Sequence, residues 1–255
     1  MPVTPGQTPM SVVWLAKTMI LCFTRYGARR HWQALSELRC AAGILGLAGV
    51  HFLGYRDSGM PGSPDNLHSQ ALAAASLEDV AERVAHIIRV VRPQVVLTFD
   101  PIGGYKHPDH IAIQRATTRA FALAGETSFE DNLLPYQPQK LYYHVFPKGW
   151  LKPAVRIMPL LGRNPRRFGR NGDIDLRAIV EEGDFPTNVV VDIRGVLEKK
   201  EAAAVCHASQ LGGGPPRRGW MRWVMHLWAE HERFMRAIPP APAKLRERDL
   251  FEGVE

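Results

Sequence analysis

The chain has 255 residues, 45% of them apolar and 22% charged, with a formal net charge of +7. This is the composition of one sizeable soluble domain with a real core. No apolar run reaches the roughly 18 residues of a membrane span, and the longest, "SVVWLAKTMILCF", is interrupted by Lys17 and lacks the flanks of a signal peptide, so the default expectation is a cytoplasmic protein with no transmembrane segment.

In chain order, "LAKTMILCFTRYGA" reads as the end of a helix running directly into a strand. Residues 31–47, "HWQALSELRCAAGILGL", carry apolar side chains at helical spacing and predict a helix stopping near Gly46 or Gly49. A short strand at 50–53 leads into the polar turn "GYRDSGM". Residues 76–93 predict a second helix, with Ser76 as N-cap, Glu78 and Asp79 in its first turn, and Pro93 as its stop. "QVVLTFD" is a buried strand, short and β-branched, running into a Gly-rich turn. Residues 108–124 open on Pro108 and Asp109 as a helix closed by Gly125. Strands follow at 139–147 and 187–193, and helices at 195–210 and 219–238. Alternation of this kind predicts an α/β domain with a doubly wound, mostly parallel sheet, and ligands bind at the carboxyl ends of its strands.

The basic excess gathers in "RIMPLLGRNPRRFGRNG" (156–172) and "PPRRGWMRW" (215–223). Both are Pro/Gly-rich, with no helix-turn-helix or zinc-finger pattern, so solvated basic loops are expected and nucleic acid is not. An anionic small substrate or a phospholipid head group is a further use for such a loop. Cys22, Cys40 and Cys206 are odd in number and far apart, which predicts thiols rather than a disulfide framework or a zinc site.

The chemistry concentrates in "TFDPIGGYKHPDH" (98–110), at the end of the buried strand. His107 and His110 are three apart at a helix start, so they share one turn. One imidazole could ligate Zn²⁺ while the other donates a proton or stabilises an oxyanion. Asp100 and Asp109 are the carboxylates able to orient the histidines. The plain alternative is that the histidines only cap the helix. Tyr142, Tyr143 and His144 follow a strand near the same edge, with His144 expected as a structural hydrogen-bonder. His207 is expected to pack.

"LTFDPIGGYKHPDH" resembles the C-terminal signature of the LmbE-like, or PIG-L, family of metal-dependent N-deacetylases, usually G-x-G-H-P-D-H. "ELRCAAGILGLAGVHFLGYRDSGM" is similar to that family's E-L-x-x-A-A-x-x-L-G and G-Y-x-D-S-G-M segments, and "CHASQ" and "ERDLFEGV" to its C-terminal elements. The resemblance covers about residues 35–255 and is weak over 150–185. It implies a Rossmann-like fold, zinc, and an N-acetylated amino-sugar conjugate of the N-acetylglucosamine type as substrate. By position it implies His110 as a metal ligand, His107 as the acid or oxyanion stabiliser, and Asp57 as the carboxylate that holds sugar hydroxyls.

The family's other ligands and its general base come from an N-terminal A-H-P-D-D-E motif. Residues 1–30 contain no His, Asp or Glu. They are therefore read as an atypical N-terminal segment, truncated or altered in its first strand, ahead of a deacetylase domain over 31–255. Zinc is expected to bind weakly or not at all, and hydrolysis to be impaired. The alternative is a non-catalytic relative that binds carbohydrate or a partner. Two smaller departures are Ala34, where the family often has arginine, and Lys106, where it has glycine.

Overall fold

The computed structural model describes residues 11–15, 18–22, 28–149, 151–168, 172–207 and 230–255, with side chains from residue 35 onward. The strands are β1 (Ser11–Leu15), β2 (Thr18–Cys22), β3 (Gly49–Phe52), β4 (Val95–Phe99), β5 (Lys140–His144), β6 (Val189–Asp192) and β7 (His231–Ile238). The helices are α1 (Ala28–Leu45), α2 (Leu77–Val91), the short kinked α3 (Gly103–Lys106), α4 (Pro108–Leu123), α5 (Leu151–Ile157), α6 (Leu176–Glu181) and α7 (Leu197–Val205). The fold class is α/β, as expected.

The strands make one sheet in the order β3-β2-β1-β4-β5-β7-β6. Only β2–β3 and β4–β5 pair in parallel; the other four neighbours are antiparallel. The sheet is therefore mixed, which corrects the mostly parallel expectation. Two residues separate β1 from β2, too few for a parallel crossover, so the pair forms a hairpin. Residues 11–15 form a strand between β2 and β4, so the helix end expected at the start of "LAKTMILCFTRYGA" is corrected at Leu15, while residues 16–17 lie outside those described. The helix expected over 219–238 is also corrected. Residues 231–238 form β7, hydrogen-bonded on both sides, and residues 219–229 lie outside those described. "HERFMRAI" is rich in helix formers, but pairing with two neighbours outweighs propensities of a few tenths of a kcal/mol per residue.

The core forms where the predictions from periodicity hold. Ser76 caps α2 by accepting the Asp79 N–H at 3.5 Å, and Arg92 closes the helix in the left-handed region before Pro93. The α2 stripe Val84, Ala85 and Ile88 is buried against Ile113, Ala116 and Ala120 of α4 and against Val96 and Leu141 of the sheet. Each large aliphatic group buried here contributes about 1.5–3 kcal/mol. Alternation sends Val95 and Tyr142 to the other face, where they meet Val189 and Phe234. Thus β4 is an interior strand packed on both faces, and it delivers the "DPIGGYKHPDH" turn at its carboxyl end.

Cys40 and Cys206 are joined, with Cα atoms 5.9 Å apart and a sequence separation of 166. The expectation of free thiols at these two positions is therefore corrected. Linear spacing carries no information about α1 and the end of α7 lying side by side. The remaining cysteine, Cys22, has no described side chain.

Candidate active site

The "GGYKHPDH" turn is held from below by Asp100. Its carbonyl accepts the Gly103 N–H at 2.9 Å and its Oδ1 accepts the Gly104 N–H at 2.8 Å. Asp100 is buried, and burial raises its pKa against the opposing pull of that Gly104 N–H. It shapes the turn and does not join the central cluster. Gly103 and Gly104 have φ of 66° and 70°, which glycine adopts without steric cost. A Cβ on Gly103 would stand 2.8 Å from His110 Cβ and 2.9 Å from Ile111 N. Lys106 occupies the same left-handed region with φ of 67°, at a cost of about 1–2 kcal/mol for a residue with a side chain. Its ammonium group pairs with Glu182 at 2.5 Å.

His107 is the N-cap of α4, its Nδ1 accepting the Asp109 N–H at 3.2 Å. The capping role offered as the plain alternative is therefore real, and it has a chemical consequence. A neutral imidazole that accepts at Nδ1 carries its proton on Nε2. Burial, and then the neighbouring His110, push the His107 pKa down to about 3, so the ring is neutral at physiological pH. Its Nε2 is buried with no hydrogen-bond partner among the described residues.

His110 has the opposite tautomer. Its Nδ1 lies 3.1 Å from the Gly103 carbonyl, which can only accept, so Nδ1 is protonated and, in the neutral ring, Nε2 carries the lone pair. Phe99 stacks on the ring at 3.9 Å and 8°, and Tyr105 meets it edge-on at 5.1 Å. The two histidine rings are 5.0 Å apart.

Asp57 and Ser58, from the "GYRDSGM" turn after β3, close the site from the other side. Both are buried. Asp57 Oδ1 accepts the Gly59 N–H at 2.6 Å, while Oδ2 is buried with no partner among the described residues. Burial, then the charge of Asp109, raise the Asp57 pKa to about 8. Asp109 is engaged through both oxygens: Ser58 donates its N–H to Oδ2 at 3.1 Å and its hydroxyl to Oδ1. Burial nevertheless raises Asp109 to about 6 against those Ser58 bonds. Ser58, which also accepts the Ala73 N–H at 2.9 Å, is the site residue that sequence reasoning passed over; its only signal was its place in "RDSGM".

Asp57, His107, Asp109 and His110 therefore converge, with Asp100 supporting the turn. Among the described residues, Asp57, His107 and Asp109 offer one donor atom each within 4.8 Å of one another, close enough for a metal ion. Their present bonding suits proton handling better. Asp109 is committed to Ser58, and a metal on His107 Nε2 would have to displace the proton that the Nδ1 cap places there. His110, with Nδ1 held by a carbonyl and its lone pair on Nε2, has the bonding pattern of a metal-ligating histidine. It is one ligand where a catalytic zinc site takes three. Among the described residues, the donors in these roles do not amount to a complete zinc site.

Three residues near this edge lie elsewhere. Tyr142 donates to Glu247 at 2.8 Å, Tyr143 meets Thr118 at 3.0 Å, and His144 pairs with Glu232 at 2.8 Å, the structural role expected of it. His207 packs beside the Cys40–Cys206 bridge, with its Nδ1 buried.

Residues 16–121 match the model of the PIG-L family, described as GlcNAc-PI de-N-acetylase. A 1D-myo-inositol 2-acetamido-2-deoxy-alpha-D-glucopyranoside deacetylase of Kineococcus radiotolerans is 35% identical, the match covering 86% of this chain and 66% of that protein. The enzyme of the same name from Rhodococcus erythropolis is 33% identical, over 86% of this chain and 76% of its own length. Among solved structures, the 4-carboxy-2-hydroxymuconate hydratase GalB of Pseudomonas putida KT2440 superposes with a TM-score of 0.51 at 20% identity, over 87% of this chain and 78% of that one. That likeness concerns the fold alone.

Proposed function

The chain belongs to the PIG-L family of de-N-acetylases, and from that premise we propose that it binds an N-acetylated amino-sugar conjugate at the Asp57–His107–His110 site. The observation that carries this is the pair of buried polar atoms, Asp57 Oδ2 and His107 Nε2, that lack partners among the described residues. Buried polar groups in folded proteins are nearly always satisfied, so two orphans in one cluster favour a ligand that satisfies both. A sugar hydroxyl suits Asp57, and an amide carbonyl or its oxyanion suits the His107 N–H. The curated relatives above carry the name of a deacetylase acting on a 2-acetamido sugar joined to inositol, which is the substrate class in this reading.

In this arrangement His107 donates Nε2–H to the carbonyl oxygen as charge develops on it. A neutral N–H in a dry site serves without desolvating a charge. Ser58 and Asp109 fix the His107 loop, and Asp57 orients the sugar. Zinc is the metal of this reading, held through His110, and it would supply polarisation of the amide and activation of water. With one such ligand in place and no His, Asp or Glu in residues 1–30, this polypeptide holds zinc weakly and hydrolyses amides poorly. Residues 31–255 form the deacetylase domain in this proposal, and a cytoplasmic address goes with it. The second reading, a non-catalytic binder, rests on the same ligand deficit.

The test measures zinc content and acetate release from an N-acetylglucosaminyl-inositol by the purified chain, beside calorimetric binding of that compound. Expected are well under one zinc per chain, little acetate, and binding lost in Asp57→Ala. Stoichiometric zinc that disappears in His110→Ala, with rapid acetate release, would show that other residues complete the metal site. No binding at all would remove the substrate assignment.

A further inference from the structure

Residues 150–172 contain six basic residues and no acidic one. This excursion begins with α5, which spends one side on a small core: Leu151 and Val155 are buried with Leu176 and Ile179, and Met158 and Tyr105 pack against them. Those positions, spaced as i, i+4 and i+7, exhaust the core-facing stripe. Ile157, Leu160 and Leu161 fall on the other side and are 50%, 84% and 71% exposed. They have no part in the core they adjoin.

Basic groups surround them. Arg163, Arg166 and Arg167 are exposed, and none of the three makes an ion pair among the described residues. A depression of about 460 Å³ beside Leu160 and Leu161 is lined by Arg163, Arg166 and Arg177; the last is paired with Glu181 at 3.2 Å. The nearer lysines are already neutralised, Lys152 by Asp184 and Lys106 by Glu182. Among the described residues of this excursion, the basic groups without an ion pair are Arg156 and the three arginines of the tip that carries the exposed leucines.

We propose that the 156–167 tip docks on an anionic phospholipid surface, with Leu160 and Leu161 entering the headgroup–acyl boundary and Arg163, Arg166 and Arg167 meeting lipid phosphates. Apolar side chains bordered by arginines are the pattern of interfacial segments, and unpaired arginines gain most against a negatively charged leaflet. Nucleic acid would engage the arginines but leave the leucines in water. A second copy of the chain would cover the leucines but bring like charges together. The bilayer satisfies both sets at once. Because Tyr105 joins the α5 core to the histidine cluster, docking would place the active-site edge near the membrane. The docking itself does not depend on the substrate assignment.

Flotation of the full chain with vesicles of phosphatidylcholine, with and without phosphatidylglycerol, tests this. Expected is binding to the phosphatidylglycerol vesicles alone, weakened by salt. Leu160→Ser and Leu161→Ser should each reduce the partition coefficient about tenfold, and Arg163→Ala/Arg166→Ala should reduce it further. Thermal melting of each variant verifies folding, which surface changes at these positions leave intact. Absence of vesicle binding overturns the proposal. So does binding indifferent to the leucines, or arginine-dependent binding to duplex DNA without vesicle binding. Self-association without lipid that Leu160→Ser abolishes, in a chain that ignores vesicles, would assign the patch to contact between copies.

Discussion

The backbone N–H of Asp109 donates to Nδ1 of His107 at 3.2 Å, so one bond both starts helix α4 and sets the tautomer of the histidine in the site. Substituting His107 by alanine removes an N-cap, at a cost of about 0.5–2 kcal/mol, and also the Nε2–H. Nitrogen NMR should find His107 as the Nε2–H tautomer with no titration between about pH 5 and 8, since burial and then His110 push its pKa down to about 3. An imidazolium signal for His107 near neutrality would contradict the capping tautomer.

Asp57 makes stability fall with rising pH. Its folded-state pKa is about 8 against an ordinary 3.8, so the unfolded chain releases this proton first. The stabilising contribution of the neutral carboxyl is fully present below about pH 4 and is lost as pH rises through 8, by up to about 1.4 kcal/mol per pH unit. Asp109, at about 6, acts with the same sign at lower pH. Asp57→Asn should flatten the wild-type decline in denaturant-derived stability, which falls between about pH 4 and 8 and levels off above it. Parallel curves for the two proteins would mean that Asp57 ionises normally.

Gly103→Ala tests the backbone under His110. The new Cβ would meet His110 Cβ at 2.8 Å and Ile111 N at 2.9 Å, from a residue at φ of 66°. The position has no slack, so a loss of about 2 kcal/mol or more is expected, with the His110 ring displaced from Phe99. The reverse experiment, Lys106→Gly, relieves a left-handed lysine and should return about 1 kcal/mol of backbone strain, less the exposed Glu182 contact. Thermal melts of the two variants should move in opposite directions.

Glu247 holds the C-terminal segment to the sheet. Its carboxylate receives Lys140 and Arg236 at 2.8 Å each and the Tyr142 hydroxyl at 2.8 Å, all at a side chain 4% exposed. Glu247→Ala strands two cations in a low-dielectric region, which typically costs about 3–5 kcal/mol. Chemical denaturation should register that loss; a change under about 1 kcal/mol would mean that water reaches the cluster.

The features legible in the sequence are those governed by local rules. Helical spacing marked α1, Ser76 and Pro93 bounded α2, Pro108 and Gly125 bounded α4, and β-branched residues marked β4. The density of Asp and His in "TFDPIGGYKHPDH" located the site, and the lack of His, Asp and Glu in residues 1–30 was legible before any coordinate. Tertiary structure decided what depends on partners distant in the chain. The run "HERFMRAI" became a strand because β5 and β6 offered hydrogen bonds on both sides. Cys40 met Cys206 across 166 residues, and Ser58 was revealed as the partner of Asp109 only when the β3 turn closed over α4. The tautomers of His107 and His110 were likewise invisible in the sequence. Each depends on which backbone group a ring nitrogen faces, an N–H for one and a carbonyl for the other, and only the folded turn supplies that direction.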